Sequence, residues 1–252
     1  MSTAPPKLLK YPQLLQEAFA LHQAGRIDDA LKIYRMIMPF YNNHPDTLML
    51  VGSAEFQIGN VEVAADFMHK AIRLGSRKAE SYNNYATALQ ACGRLEESLA
   101  QFDKAIELRP DLIDAISNRA TLLAMLNRPE EAIAAYDRAL QVNPQHVEAY
   151  NNRANVLGDL QRYEEALQSL DQAIALRPDY TYAHNNRGNM LHALGRFEAA
   201  LQSYDQALAL DPVHIDAWNN KAITLRDMNR LEEATECFNT SQKLKAAFHA
   251  KR

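Results

Sequence analysis

A turn motif that returns at every 34th position constrains this chain more than any other feature of its sequence. The motif begins at Gly25-Arg26, and six further copies follow in one unbroken register, at Gly59, Gly93, Asn127, Gln161, Gly195 and Asn229. Prolines with the same spacing confirm that register, at Pro110, Pro144, Pro178 and Pro212. Because stacked repeats bury their apolar faces against their neighbours, this period predicts a repeat array.

The period divides the chain into seven units of equal length. We expect an N-terminal extension over residues 1–10, one solenoid over 11–248 and a tail over 249–252. The predicted units are 11–44, 45–78, 79–112, 113–146, 147–180, 181–214 and 215–248.

Each unit has the pattern of two helices joined by a short turn. In the fifth unit the apolar spacing predicts a first helix from about Val147 to Leu160 and a second from about Tyr163 to Leu176. Pro178 then prevents the second helix from continuing. One place in every second helix holds a small residue, which lets the paired helices approach closely: Ala30, Ala64, Ser98, Ala132, Ala166, Ala200 and Ala234. The predicted class is all-α.

The 34-residue period, with small residues such as Ala166 and Ala173 followed by Pro178, resembles the tetratricopeptide repeat (TPR) family over nearly the whole chain. The resemblance implies an α-α superhelix, a right-handed solenoid of seven TPR helical hairpins whose first helices line a concave groove. The segment YNNRANVLGDLQRYEEALQSLDQAIALRPDY is similar to bacterial members related to the N-terminal TPR superhelix of O-linked N-acetylglucosamine transferases.

Composition and motifs argue against several functional classes. The formal net charge of −4 gives no reason to expect a nucleic-acid or membrane binder. Neither a secretory signal nor an apolar stretch of membrane-spanning length is visible, so a cytoplasmic location is expected. The two cysteines have no metal-ligand spacing, and no P-loop, GxGxxG, GxSxG or HExxH motif occurs. We therefore expect no catalytic residues, no metal and no cofactor.

Asparagines recur on the polar face of the first helices, where Glu, Lys or Gln would form a helix more readily. An asparagine amide both donates and accepts, so a row of them could bond the main chain of an extended peptide. The resembling transferases use an asparagine ladder in this way. The alternative is that unit duplication alone carried the residue. The candidate peptide-binding residues are Asn84, Asn118, Asn152, Asn186, Asn220, Asn151, Asn155, Asn185 and Asn189.

The first two units depart from this pattern, since Gln16 and Leu50 stand at the ladder place. Apolar neighbours there predict a side-chain pocket at the N-terminal end, lined by Leu15, Phe19, Met49 and Leu50.

Carboxylates beside the ladder predict an acidic rim that favours neutral or basic segments: Asp46, Glu80, Asp114, Glu148 and Asp216, with Asp159 and Asp227. A merely solvated charged edge is an equally good explanation of this pattern.

Four acids on second helices are each followed, 16 positions later, by a base on the next first helix. The predicted pairs are Asp103 with Arg119, Asp137 with Arg153, Asp171 with Arg187, and Asp205 with Lys221. Pairing of this kind predicts half-buried bridges that fix the register of neighbouring units.

In the last unit Thr235 and Gln242 replace apolar stacking residues, which predicts a polar end surface. Leu244 and Phe248 could still support a weak homodimer.

These observations favour a non-enzymatic scaffold or adaptor that binds a protein through an extended peptide segment. The competing hypotheses are a substrate-recognition module serving a separate glycosyltransferase or sulfotransferase, and a purely structural homo-oligomer.

Overall fold

The computed structural model describes residues 11–249, except for the side chain of Tyr41. Within that range the chain forms fourteen α-helices and no β-strand, which confirms the all-α class and the seven helical hairpins. The predicted extension over 1–10, and the tail beyond residue 249, lie outside the described residues.

Each hairpin consists of a first and a second helix. In chain order the helices are α1 (Tyr11–Gln23), α2 (Ile27–Tyr41), α3 (Pro45–Gln57), α4 (Val61–Arg73), α5 (Ala79–Ala91), α6 (Leu95–Leu108), α7 (Ile113–Met125), α8 (Pro129–Val142), α9 (Val147–Asp159), α10 (Tyr163–Leu176), α11 (Thr181–Ala193), α12 (Phe197–Leu210), α13 (Ile215–Asp227) and α14 (Leu231–His249). In the fifth hairpin the predicted bounds agree with α9 and α10 to within one residue. No helix of the described range is long and apolar enough to cross a membrane.

The turn inside each hairpin depends on one residue with a positive φ angle. Glycine takes this conformation in four hairpins, whereas Asn127, Gln161 and Asn229 adopt φ angles of 56°, 60° and 62°. In the third hairpin the turn is closed by the Arg94 amide, which donates to the Leu89 carbonyl over 2.9 Å. The turn motif therefore recurs because a left-handed residue must end every first helix.

The core lies between the two helices of each hairpin. The predicted small residue of the second helix is fully buried in the first six hairpins, from Ala30 to Ala200, and partly buried at Ala234. Four positions later a large side chain is at most 2% exposed in the same six hairpins: Tyr34, Met68, Phe102, Tyr136, Leu170 and Tyr204. Small and large residues thus alternate so that the helices interlock.

The contacts divide the chain into two compact units, one ending at Leu122 and the other beginning at Leu123. In the first unit α3 contacts both α1 and α5, and in the second α11 contacts both α9 and α13. No contact between successive second helices is recorded in the described range. The first helices therefore form the more closely spaced layer within each unit. One continuous solenoid over 11–248 stays a prediction.

Ion pairs join neighbouring hairpins as predicted. The four bridges, with lengths of 2.6–2.7 Å, are Asp103–Arg119, Asp137–Arg153, Asp171–Arg187 and Asp205–Lys221. The bases are only 21–33% exposed, whereas the acids are about half exposed. The prediction of half-buried bridges between adjacent hairpins is confirmed.

Two of the arginines bind a third helix as well. Arg153 donates to Asp137 of α8 through Nε and to the Ser169 hydroxyl of α10 through Nη1, over 2.7 and 2.6 Å. Arg187 makes the equivalent bonds to Asp171 and Ser203. Each of these guanidinium groups therefore holds three consecutive helices together.

The first two joints use different chemistry. Arg35 pairs with the buried carboxylate of Glu55 over 3.0 Å, and Asn60 donates to the same carboxylate over 2.7 Å. At the next joint the Tyr85 hydroxyl and the Nδ1 atom of His69 are hydrogen-bonded over 3.1 Å. At these two junctions the sequence lacks the Asp–base pair, but it did not predict the ion pair and the hydrogen bonds that take its place.

The surface of the seventh hairpin is only partly polar. Thr235 and Gln242 are exposed, in agreement with the prediction. However, the place that holds Tyr204 in the sixth hairpin holds Phe238, which is 51% exposed. Phe238, Ile223 and Leu231 line an open groove of about 750 Å³. Thr235 and Gln242 line the same groove, so the prediction of a polar end surface holds for these two residues but missed the apolar side chains beside them.

Candidate functional site

The asparagines of successive first helices are bonded to one another. In the second unit the Asn186 amide donates to Oδ1 of Asn151 over 3.0 Å, and the Asn220 amide donates to Oδ1 of Asn185 over 3.1 Å. In the first unit Asn118 donates to Asn83 over 3.3 Å. Each bond joins one first helix to the next within its unit, so in each unit the asparagines lie on the closely spaced layer. We call these side chains the asparagine ladder.

Three ladder steps pair an inner asparagine with the outer asparagine that follows it. Asn151 and Asn185 are the inner members, only 5% exposed, and each donates to the outer asparagine that follows it, Asn152 or Asn186. Asn83 donates in the same way to Asn84. The Asn-Asn dipeptides of the sequence are the signal that could have revealed this arrangement.

The outer members keep part of their hydrogen-bonding capacity. In Asn186, one amide hydrogen is given to Asn151 and one oxygen lone pair accepts from Asn185. An amide has two hydrogens and two lone pairs, so one of each is left. Outer members Asn118, Asn152, Asn186 and Asn220 are partly buried, and Asn84 is exposed.

The remaining candidates differ in what they can reach. Because Asn151 and Asn185 are buried and bonded through both ends of the amide, they offer almost no surface and act to orient the outer members. Asn155 is exposed. Asn189 is partly buried, and its oxygen accepts from the Tyr204 hydroxyl over 2.9 Å.

The acidic rim is partly neutralised. Three of its carboxylates form ion pairs of 2.6–2.8 Å with bases that flank the turns between hairpins: Asp46 with Lys78, Glu80 with Arg109, and Glu148 with Arg177. Asp114 and Asp216 are exposed, and Tyr182 is 60% exposed between them in sequence. The sequence did not reveal these ion pairs, because the basic residues lie at a different position of the repeat from the carboxylates.

The ion pairs of the rim also change the pKa values of their carboxylates. The pKa of Glu80 is lowered most by a hydrogen bond with its own backbone and next by a hydrogen bond from Arg109. Burial pushes the pKa of Glu148 upwards, but its backbone hydrogen bond and Arg177 outweigh that effect and leave the pKa below its ordinary value. Both rim carboxylates are therefore charged and already paired at neutral pH.

The predicted N-terminal pocket is present. Its volume is about 450 Å³, and Leu15, Phe19 and Leu50 supply its apolar wall. Met49, the fourth expected residue, instead packs against the core around Met68 and Tyr85. The prediction is confirmed for three of the four residues.

A histidine link between α11 and α13 was not anticipated. The Nδ1 atom of His192 lies 2.9 Å from the Thr224 hydroxyl, and its Nε2 atom lies 3.5 Å from Asp227. Thr224 is fully buried and donates to the Asn220 carbonyl. The contacts of His192 therefore join α11 to α13.

Comparison with models of known families identifies the family of these repeats. Models described as tetratricopeptide repeat match residues 77–145, 118–181, 151–215 and 191–247. Together the matches cover more than half of the chain. The chain belongs to the tetratricopeptide repeat family. A comparison with curated proteins returned no match.

Solved structures of TPR proteins share this fold. A tetratricopeptide repeat protein from Parabacteroides merdae matches with a TM-score of 0.76 at 16% identity, covering 94% of this chain and 93% of that one. MamA from Desulfovibrio magneticus RS-1 matches with a TM-score of 0.62 at 21% identity, covering 69% and 97%. These two similarities establish the fold alone.

A third structure is that of YrrB, described as a TPR protein with an unusual peptide-binding site. It matches this TPR chain with a TM-score of 0.57 at 27% identity, covering 74% of this chain and 98% of its own.

Proposed function

We propose that this TPR protein is a non-enzymatic adaptor that holds an extended segment of another protein against its asparagine ladder. The observation that carries the proposal is the spare capacity of outer asparagines such as Asn152 and Asn186, each partly exposed and bonded to a buried inner asparagine. A peptide unit offers one N–H and one C=O. One spare donor and one spare acceptor per step are the groups that such a unit needs.

The spacing of packed helices suits an extended chain. Helices in contact lie about 8–10 Å apart, and an extended chain advances about 3.3 Å per residue. One outer asparagine would therefore meet about every third residue of the bound segment. Bonds to the main chain do not read side chains, so the ladder supplies affinity and leaves selectivity to other parts of the surface.

The similarity to YrrB supports a peptide as the ligand, because that structure is described by its peptide-binding site. The pairing of Asp46, Glu80 and Glu148 favours a neutral segment over a strongly basic one, since few rim charges stay unpaired.

The test uses a phage-displayed library of random 16-residue peptides selected on the immobilised protein. Selected peptides are then titrated by fluorescence anisotropy against the variant in which Asn118, Asn152 and Asn186 are all changed to Ala. We expect binding to be lost while helical circular dichroism is kept. Unchanged affinity would reject the ladder as the binding surface.

A matched control removes three exposed amides from second helices, through Gln168→Ala, Gln202→Ala and Asn239→Ala. This variant should bind the selected peptides like the wild type. Equal losses in both variants would point to a general loss of structure.

The second hypothesis, a module that serves a separate glycosyltransferase or sulfotransferase, stays a prediction. It requires the same groove, so the ladder variant tests the recognition step that both share.

A further inference from the structure

The N-terminal pocket continues the line of the ladder. Leu50 and Gln16 occupy, in the second and first hairpins, the place that outer asparagines hold in the third to seventh. Leu15 stands at the place of the inner asparagines, and Phe19 at that of Asn155 and Asn189. Since α1 contacts α3 and α3 contacts α5, a chain that follows Asn84 along this layer reaches the pocket next.

The pocket and the ladder recognise different parts of a peptide. Leu15, Phe19 and Leu50 have no polar side-chain atoms, so this wall can gain free energy only by burying apolar surface. Pro12, Gln13, Gln16 and His44 complete the lining, and none of these is an acid, a lysine or an arginine. A volume of about 450 Å³ has room for a large side chain.

The apolar wall is open to a ligand. Phe19 is 41% exposed although it is a large aromatic residue on the same layer as the polar ladder. Leu15 and Leu50 are partly buried because they also pack on the core cluster that contains Ala18, Tyr34 and Val51. The pocket floor is therefore fixed by the core of the first two hairpins.

We propose that the bound segment carries one large aliphatic or aromatic residue, just beyond the stretch held at Asn84, and that its side chain enters this pocket. This inference rests on the proposed function and adds selectivity to it. The ladder holds any extended main chain, and the pocket selects the segments that place an apolar side chain at one end.

The test compares peptides from the random 16-residue library on the full-length protein. We expect the selected peptides to share a large apolar residue, and its replacement by Ala to weaken binding about tenfold or more. The same replacement should change binding less than about twofold on two pocket variants. Phe19→Ser introduces the residue that the second hairpin has at this place, and Leu50→Asn restores the ladder residue.

Met36→Ser serves as the control, because it removes a 54% exposed apolar side chain from α2 outside the pocket. It should keep the tenfold preference. Circular dichroism and thermal melting of all variants show whether a loss of binding comes from a loss of structure.

The outcomes separate the two proposals. Peptides that depend on the ladder asparagines but show no apolar preference, or keep it in both pocket variants, would overturn the pocket and leave the adaptor. Binding that ignores the ladder variant would overturn the adaptor and this inference with it. A preference that appears only after Leu8 and Leu9 are changed to Ser would assign the pocket to the chain's own N-terminal segment, which also overturns the inference.

Discussion

Asn186 donates its side-chain amide to the Oδ1 atom of Asn151 over 3.0 Å, and this bond ties one first helix to the next. The acceptor lies on a residue that is only 5% exposed. The bond therefore joins neighbouring hairpins independently of any ligand, so its contribution to stability can be measured separately from the proposed binding of a peptide.

Asn186→Ala should lower stability. Asn151 would keep a buried acceptor with no donor, which costs about 1–3 kcal/mol, while alanine returns up to about 0.7 kcal/mol of helix propensity. The net expectation is a destabilisation of about 1 kcal/mol by urea unfolding. Asn155→Ala is the control, because Asn155 is exposed and has no side-chain bond among those described. It should be neutral or stabilise by about 0.5 kcal/mol; an equal loss in both would contradict a structural ladder.

Arg153→Met should cost more stability than Arg119→Met. Arg153 holds Asp137 and the hydroxyl of Ser169, which is 3% exposed, whereas the bond described for Arg119 is to Asp103 alone. The bridge to a half-exposed carboxylate contributes up to about 1 kcal/mol in either case. Loss of the donor to Ser169 adds about 1 kcal/mol or more. Urea midpoints measure the difference, and equal values would argue against the three-helix contact.

Gln161→Gly should stabilise the protein. Gln161 adopts a φ angle of 60°, which is unfavourable for a residue with a side chain. Glycine removes that strain but loses more chain entropy on folding, so the expected gain is about 0.5–1 kcal/mol. The reverse change, Gly195→Gln at a φ angle of 70°, should destabilise by a similar amount. Thermal melting measures both, and a destabilised Gln161→Gly would show that the strain is negligible.

His22 should make stability depend on pH in the weakly acidic range. Burial lowers its pKa below the ordinary value of 6.5, and a hydrogen bond with Gln57 offsets only part of this. The unfolded chain therefore takes up the proton first as the pH falls. The stabilisation is complete above pH 6.5 and is lost as the pH falls through the lowered pKa.

His22→Gln should remove this dependence, because glutamine does not titrate. The measurement is the melting temperature of both proteins at pH 7.5 and pH 5.5. The wild type should lose more than the variant over this interval. Equal losses would assign the pH dependence to other groups.

Phe238→Ala should cost far less than Tyr204→Ala, although the two residues are 34 positions apart in equivalent places. Tyr204 is 1% exposed, so its truncation is expected to cost about 3–5 kcal/mol, whereas Phe238 is 51% exposed.

The Phe238→Ala variant also tests self-association through the groove that Phe238, Ile223 and Leu231 line, and Phe248→Ala tests the predicted weak homodimer. A concentration-independent mass for the wild type in light scattering would exclude both contacts.

The sequence was sufficient for the parts of the fold that repeat. A left-handed residue and a small side chain return in every repeat, and a proline returns in four of them; these residues determine the hairpins, and the helix bounds follow from them. The Asp–base bridges were also predictable, because both partners change together along the chain. The ladder places could be located because asparagine returns there in five successive repeats.

The contacts of single side chains were less predictable. Whether an asparagine is buried, as Asn151 is, or exposed, as Asn155 is, depends on how close the next first helix lies. The ion pairs of Glu80 and Glu148 involve residues of other helix ends, 29 positions away. Whether Phe238 is exposed depends on whether another helix packs over it, and the apolar pattern of α14 does not show that.

The contacts that join neighbouring hairpins also affect how such a repeat array can evolve. Arg35 requires the carboxylate of Glu55, His69 requires the hydroxyl of Tyr85, and the later joints require an acid followed by a base. If the second hairpin were moved to follow the third, Asp103 would meet Val51, and an unpaired charge would be left at the junction. Recombination within the third to sixth hairpins preserves compatible ends, whereas exchanging the first two with them leaves mismatched partners. Duplication and deletion among the later hairpins should therefore cost the array less stability than rearrangement of its N-terminal end.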